Sequence, residues 1–161
     1  MEDRIDMPNR REHQTKSAIV GAAAALYCAR NGDPPNLIIE GLGGAVGGYV
    51  SGTWADELDP PWSPNHRGFG HAVLPTALVS SIYLNDLEKW QLWLRNQASK
   101  HGLQAATAEW PWAQLWQQVL EAFCRFLAGV IAGLLPGHWT HLLLDARTQM
   151  SLPVSCVPSR V

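Results

Sequence analysis

Apolar positions along this chain fall into long blocks, and no block alternates with polar positions over six residues. Strict alternation marks a half-buried strand, so no sheet is expected. The blocks predict helices instead. His13 to about Arg30 is one, rich in alanine through Gly21-Ala-Ala-Ala-Ala25. Asn31-Gly-Asp-Pro-Pro35 ends it. Leu37 to Ala55 is a second apolar segment, interrupted only by Glu40. Its glycines, including Gly43, Gly44, Gly47, Gly48 and Gly52, fall at overlapping GxxxG spacings. Each glycine costs a helix about 1 kcal/mol relative to alanine. So many together predict a face on which another backbone packs closely.

Asp56 to Gly70 reads as a loop, imposed by Pro60, Pro61 and Pro64. A third helix is expected from His71 to about Trp93, then a polar connection from Asn96 to Pro111. Trp112 to Leu135 predicts a long helix, which Pro136-Gly137 should break or kink. His138 to about Arg147 resumes as helix, and Thr148 to Val161 reads as an extended tail. The expected fold is all-α, a single-domain bundle of about five helices around a metal site. It occupies residues 1–161, with a loose N-terminal segment over 1–12.

Composition narrows the picture. Charged residues are 16% of the 161, against roughly 25% in an ordinary soluble domain. The net charge of −2 argues against binding nucleic acid through a broad basic surface. It leaves a nuclease open, because a metal can carry the positive charge. Cys28, Cys124 and Cys156 are widely separated and form no CxxC pair, so they read as reduced core fillers. Arg10, Arg11 and Lys16 ahead of an apolar run resemble a signal peptide. Glu2, Asp3, Asp6 and Glu12 spoil its basic region, so the segment reads as retained and the chain as not secreted.

The candidate chemistry lies in two stretches. Asp56, Asp59, His66 and His71 fall within sixteen residues, and His141 and Asp145 follow seventy residues later. Imidazole nitrogens and carboxylate oxygens are the donors that zinc and manganese take. His141 and Asp145, four apart on a helix, sit on one face and can reach one ion. The same spacing also suits an ordinary hydrogen-bonded pair inside a bundle. His66 on a loop and His71 at a helix start could converge. Arg67 offers a guanidinium matched to a phosphate, or an ordinary surface charge. Asp56 and Asp59 could bind or bridge metals or orient water, though an aspartate before proline is also a common turn residue. His13 opens the first helix, where a polar residue is ordinary. His138 lies on the His141 face, and His101 reads as solvent-exposed. Burying so many polar groups without a metal or a partner network would cost several kcal/mol.

The run Ala55-Asp56-Glu-Leu-Asp59-Pro60, with Pro64-Asn-His66-Arg67-Gly-Phe-Gly-His71, resembles a family of bacterial metal-dependent hydrolases. These are described as inner-membrane-associated or LexA-binding. They are distantly related to zinc-dependent phospholipase C and to the single-strand-specific zinc nucleases. Thr140-His141-Leu-Leu-Leu-Asp145 through Pro153 is similar to the family's C-terminal motif, with Gln149 and Ser151 in place of its usual Pro and Gly. The resemblance covers residues 13–82 and 127–153 and leaves out the variable, Trp-rich segment 85–115. It implies metal-binding roles for His13, Asp56, His66, His71, His141 and Asp145, with Asp59 nearby.

The expected function is therefore a metal-dependent hydrolase, with zinc the first choice of cation and a phosphoester of lipid or nucleic acid as substrate. Asp56 or Asp59 would accept a proton, and Arg67 would offset charge on the phosphate. A competing reading is a membrane-associated structural protein, in the bacterial cytoplasm or at the inner membrane, whose polar cluster only holds the bundle together. Leu37–Ala55 approaches the ~20 residues that span a bilayer. Trp90, Trp93, Trp110, Trp112 and Trp116 crowd a region suited to a water–lipid interface or to a docking partner. Oligomeric state is left open.

Overall fold

The computed structural model describes residues 10–58 and 72–146. All regular structure among them is helical. Helix α1 spans Arg10–Cys28, α2 Pro34–Ser51, α3 Trp54–Leu58, α4 Val73–Thr107 and α5 Pro111–Asp145. Proline fixes two of the starts. Pro34 and Pro35 open α2 and Pro111 opens α5, where a missing N–H costs nothing.

Four long helices and one five-residue helix are found among the described residues, against an expectation of about five helices. The predicted break at Pro136-Gly137 does not occur, and α5 runs through both residues. Proline inside a helix costs about 3 kcal/mol. The offset is packing: a β-carbon at Gly133 would strike the Gly44 carbonyl, and one at Gly137 would strike Ser51 and Gly48. The helix on both sides of the proline is thus clamped to α2. The polar connection expected over 96–111 is also helix as far as Thr107. Leu94, Ala98 and Ala105 are buried there at helical spacing, a stripe of small residues that hydropathy alone underweights. The first helix starts at Arg10, so residues 10–12 are not loose. Asp56 lies on α3, not in a loop.

Helix α5 is the central rod. Helix α1 runs antiparallel to it, with Ser17 Oγ donating to the Gly137 carbonyl at 2.9 Å. Helix α2 runs parallel to it: Glu40 packs at Gly129, Gly44 at Gly133 and Gly48 at Gly137. Helix α4 returns along another side, with Trp139 Nε1 donating to Ser80 Oγ at 3.2 Å and His101 Nδ1 paired with Gln117 Oε1 at 2.7 Å. His101 is therefore not the free surface residue expected.

Glycine makes the α1–α2–α5 contacts. A β-carbon at Gly43 would meet the Phe126 carbonyl, at Gly47 the Val130 carbonyl, and at Gly48 the Ser17 carbonyl. The expected close-packing face is present and serves two neighbours at once. Buried positions are mainly Gly, Ala and Ser, while Ile19, Ile38, Leu42, Leu78, Ile82 and Leu143 are exposed.

One buried charge cluster ties three helices together. Glu40 is 2% exposed and accepts from Arg95 Nε at 2.9 Å and Arg95 Nη2 at 2.7 Å. Arg125 Nη1 lies 3.9 Å from its other oxygen, and Arg125 also binds Glu121 at 2.9 Å. A buried carboxylate survives in an apolar helix when it is paired in this way.

Candidate metal centre

Chain direction assembles the site. Because α1 opposes α5 and α2 parallels it, the start of α1 and the ends of α2 and α5 meet at one end of the bundle. Helix α3 follows α2 directly. His13 comes from the first turns of α1, Asp56 from α3, and His141 and Asp145 from the last turns of α5.

His141 is fully buried, and its Nδ1 lies 2.7 Å from the Gly52 carbonyl oxygen. A carbonyl only accepts, so Nδ1 carries the proton. In the neutral ring, Nε2 is then the acceptor atom. It faces Asp145 Oδ2 at 3.3 Å and Asp56 Oδ1 at 3.6 Å. An imidazole nitrogen beside two carboxylates calls for a proton shared among them or a cation between them. A backbone carbonyl that fixes the tautomer on the far side of the ring is how metal-ligating histidines are commonly held.

His13 is 4% exposed, with its ring centroid 4.3 Å from that of His141. Its Nε2 lies 3.5 Å from Asp145 Oδ1, and its Nδ1 is buried with no hydrogen-bond partner among the described residues. Burial, and then the neighbouring His141, push its pKa below the ordinary value of 6.5, against the pull of Asp145 and Asp56. His13 is thus held as neutral imidazole, the form that binds metals.

His13, His141 and Asp145 offer ligand atoms that all lie within 4.8 Å of one another and could hold a metal ion. Asp56 borders this trio, and its side chain is 30% exposed, which puts the edge of the site in reach of solvent. The carbonyl ends of α2 and α5 add negative potential there. Donor chemistry, tautomer and charge all fit a divalent cation.

Of the sequence-predicted site residues, the fold brings together His13, Asp56, His141 and Asp145. Asp59, His66, Arg67 and His71 lie outside the described residues. His138, one turn before His141, is not in the trio. The Gly52 carbonyl was not legible in advance, because a backbone acceptor leaves no side-chain signature. No family model matches the chain, and no curated protein or solved structure matches it either.

Proposed function

We propose that this chain is a divalent-metal-dependent hydrolase acting on phosphoester bonds. The observation that carries the proposal is the His141 ring. Its Nδ1 donates to the Gly52 carbonyl, and its Nε2 is buried beside the carboxylates of Asp145 and Asp56, with the His13 ring alongside. His13, His141 and Asp145 would hold the cation, and two nitrogens with a carboxylate favour zinc. When bound, such a cation supplies Lewis acidity for activating water. Asp56, partly exposed at the rim, would take a proton from a water entering from solvent. Through the family resemblance, His66 and His71 would complete the ligand set. Asp59 would assist Asp56, and Arg67 would bind a phosphate oxygen.

The test is elemental analysis of protein purified without chelator. Stoichiometric metal is expected in the wild type. It should be lost in His141→Ala and Asp145→Ala at unchanged helical circular dichroism, and also in His66→Ala if the loop joins the site. A metal-free wild type rules the proposal out. Cleavage of a phosphodiester probe, abolished by chelator and restored by zinc, then tests the reaction.

A specific observation also favours contact with a membrane. Many large apolar side chains are exposed on α1, α2 and α4, while the interior holds mostly small and polar ones. Helix α5 is the one helix among the described residues that is long and apolar enough to cross a bilayer. A hydrolase seated against lipid would meet phospholipid more readily than nucleic acid, which makes lipid the favoured source of the phosphoester.

A further inference from the structure

The face of α5 that packs on α2 does not end where α2 ends. Phe126, Val130, Gly133 and Gly137 form that seam, each against a glycine or serine of α2. Their spacing of four, three and four continues toward the N-terminus through Trp112, Trp116, Val119 and Phe123. A repeat of this kind is a helix-pairing seam, seven residues for every two positions. Helix α2 has 18 residues and α5 has 35, so at 1.5 Å per residue α5 extends roughly 25 Å further than α2 in total length. Over its first three turns the seam is left exposed by the described residues. Trp112 is 81% exposed, Trp116 61%, Phe123 56%, and Val119 and the flanking Leu115 49% each. Helix α4 sits on the other side of this stretch, where His101 meets Gln117 and Gly102 lies against Glu121.

We propose that a second copy of this chain covers the exposed seam, the α5 helices of the two copies pairing along it about a two-fold axis with each α4 on the outer side. Three observations favour a protein partner of this kind over lipid. The stretch is striped and not apolar all round: Gln114, Gln117 and Gln118 occupy its other faces, whereas a lipid-immersed helix is apolar on every side. An interfacial membrane helix carries Lys or Arg beside its apolar face, and residues 111–124 contain neither. In a two-fold contact each surface meets itself, and neutral glutamine flanks set no like charges against each other. The area is of the right order. With about 150–250 Å² for each fully exposed aromatic, discounted to the exposed fractions, the five side chains present on the order of 500 Å². That lies toward the upper end of the roughly 300–600 Å² of a typical monomer's largest apolar patch and supplies the greater part of the ~800 Å² each partner gives a standard interface. The change from glycine at 133 and 137 to tryptophan at 112 and 116 fits the geometry. Glycines allow α2 to touch backbone, and bulky knobs suit a partner helix at ordinary distance.

The experiment is light scattering coupled to size exclusion on the full-length chain in mild detergent, over a concentration series. Wild type is expected at twice the chain mass, corrected for detergent. Trp116→Glu with Val119→Glu should halve it, at unchanged helical signal and metal content. The milder pair Trp112→Gln and Trp116→Gln, which leaves helix propensity nearly intact, should weaken dimerisation at least tenfold. A wild type that stays monomeric across the series overturns the inference, as does a glutamate variant that stays dimeric. So does a monomer whose binding to phosphatidylcholine vesicles is lost in the same variants, which would assign the seam to lipid. Metal content is read separately, so failure here leaves the hydrolase proposal standing.

Discussion

Glu40 is the one charge inside the most apolar stretch of the chain, and from sequence it reads as a mere interruption. Its meaning depends on Arg95 and Arg125, which come from two other helices. Removing one member of a buried ion pair leaves the rest charged and unpaired, which costs about 3–5 kcal/mol. Glu40→Ala is therefore expected to destabilise the protein by about that much, with Arg95→Ala costing less because Arg95 is partly exposed. Chemical denaturation of the two variants beside wild type checks it, and a Glu40→Ala midpoint equal to wild type would sink it. His141 and Asp145 show the opposite case. Their four-residue spacing put them on one helical face in advance, and the structure keeps them there. What the spacing could not supply was the Gly52 carbonyl, which orients the ring, or His13, which completes the group that could hold a metal ion.

At the scale of the element, the glycine spacing of α2 foretold close packing, but not that two helices would use it. Gly48 faces Ser17 on α1, and Gly43 and Gly47 face Phe126 and Val130 on α5. A methyl group at Gly47 or Gly48 would meet backbone carbonyl and could not be relieved by turning a side chain. Gly47→Ala and Gly48→Ala are each expected to cost about 1–3 kcal/mol or more, despite alanine's better helix propensity. Gly32→Ala, in the turn after α1, serves as the comparison and should cost less, since it meets one carbonyl at 3.1 Å. Thermal unfolding of the three variants decides the order, and a stabilised Gly48→Ala would contradict the packing account. The two misread elements have one cause. Pro136 and the 96–107 stretch were judged by local propensity, and in both places contact with a neighbouring helix outweighs it.

Across the described residues, small and polar side chains make most contacts between helices, with Leu94, Leu142 and Leu144 the large apolar exceptions, while many Leu, Ile, Val and Trp side chains face outward. In water, so much exposed apolar surface would favour aggregation. Contact with lipid would relieve that, and small residues at helix contacts are the usual arrangement in membranes. The full-length chain is accordingly expected in the membrane fraction of cells, released by detergent and not by high salt or carbonate. Recovery of a monodisperse soluble protein without detergent would contradict that expectation.

The sequence by itself determined that the described residues form helices and no sheet, since no apolar block alternates. It also determined that His141 and Asp145 share a helical face, since a four-residue spacing fixes one. Only the tertiary structure decided that His13, Asp56, His141 and Asp145 share one end of the bundle. That meeting depends on α1 opposing α5 and α2 running alongside it. Those directions follow from which glycine faces which carbonyl across helices far apart in the chain, a relation between distant residues that no local pattern encodes.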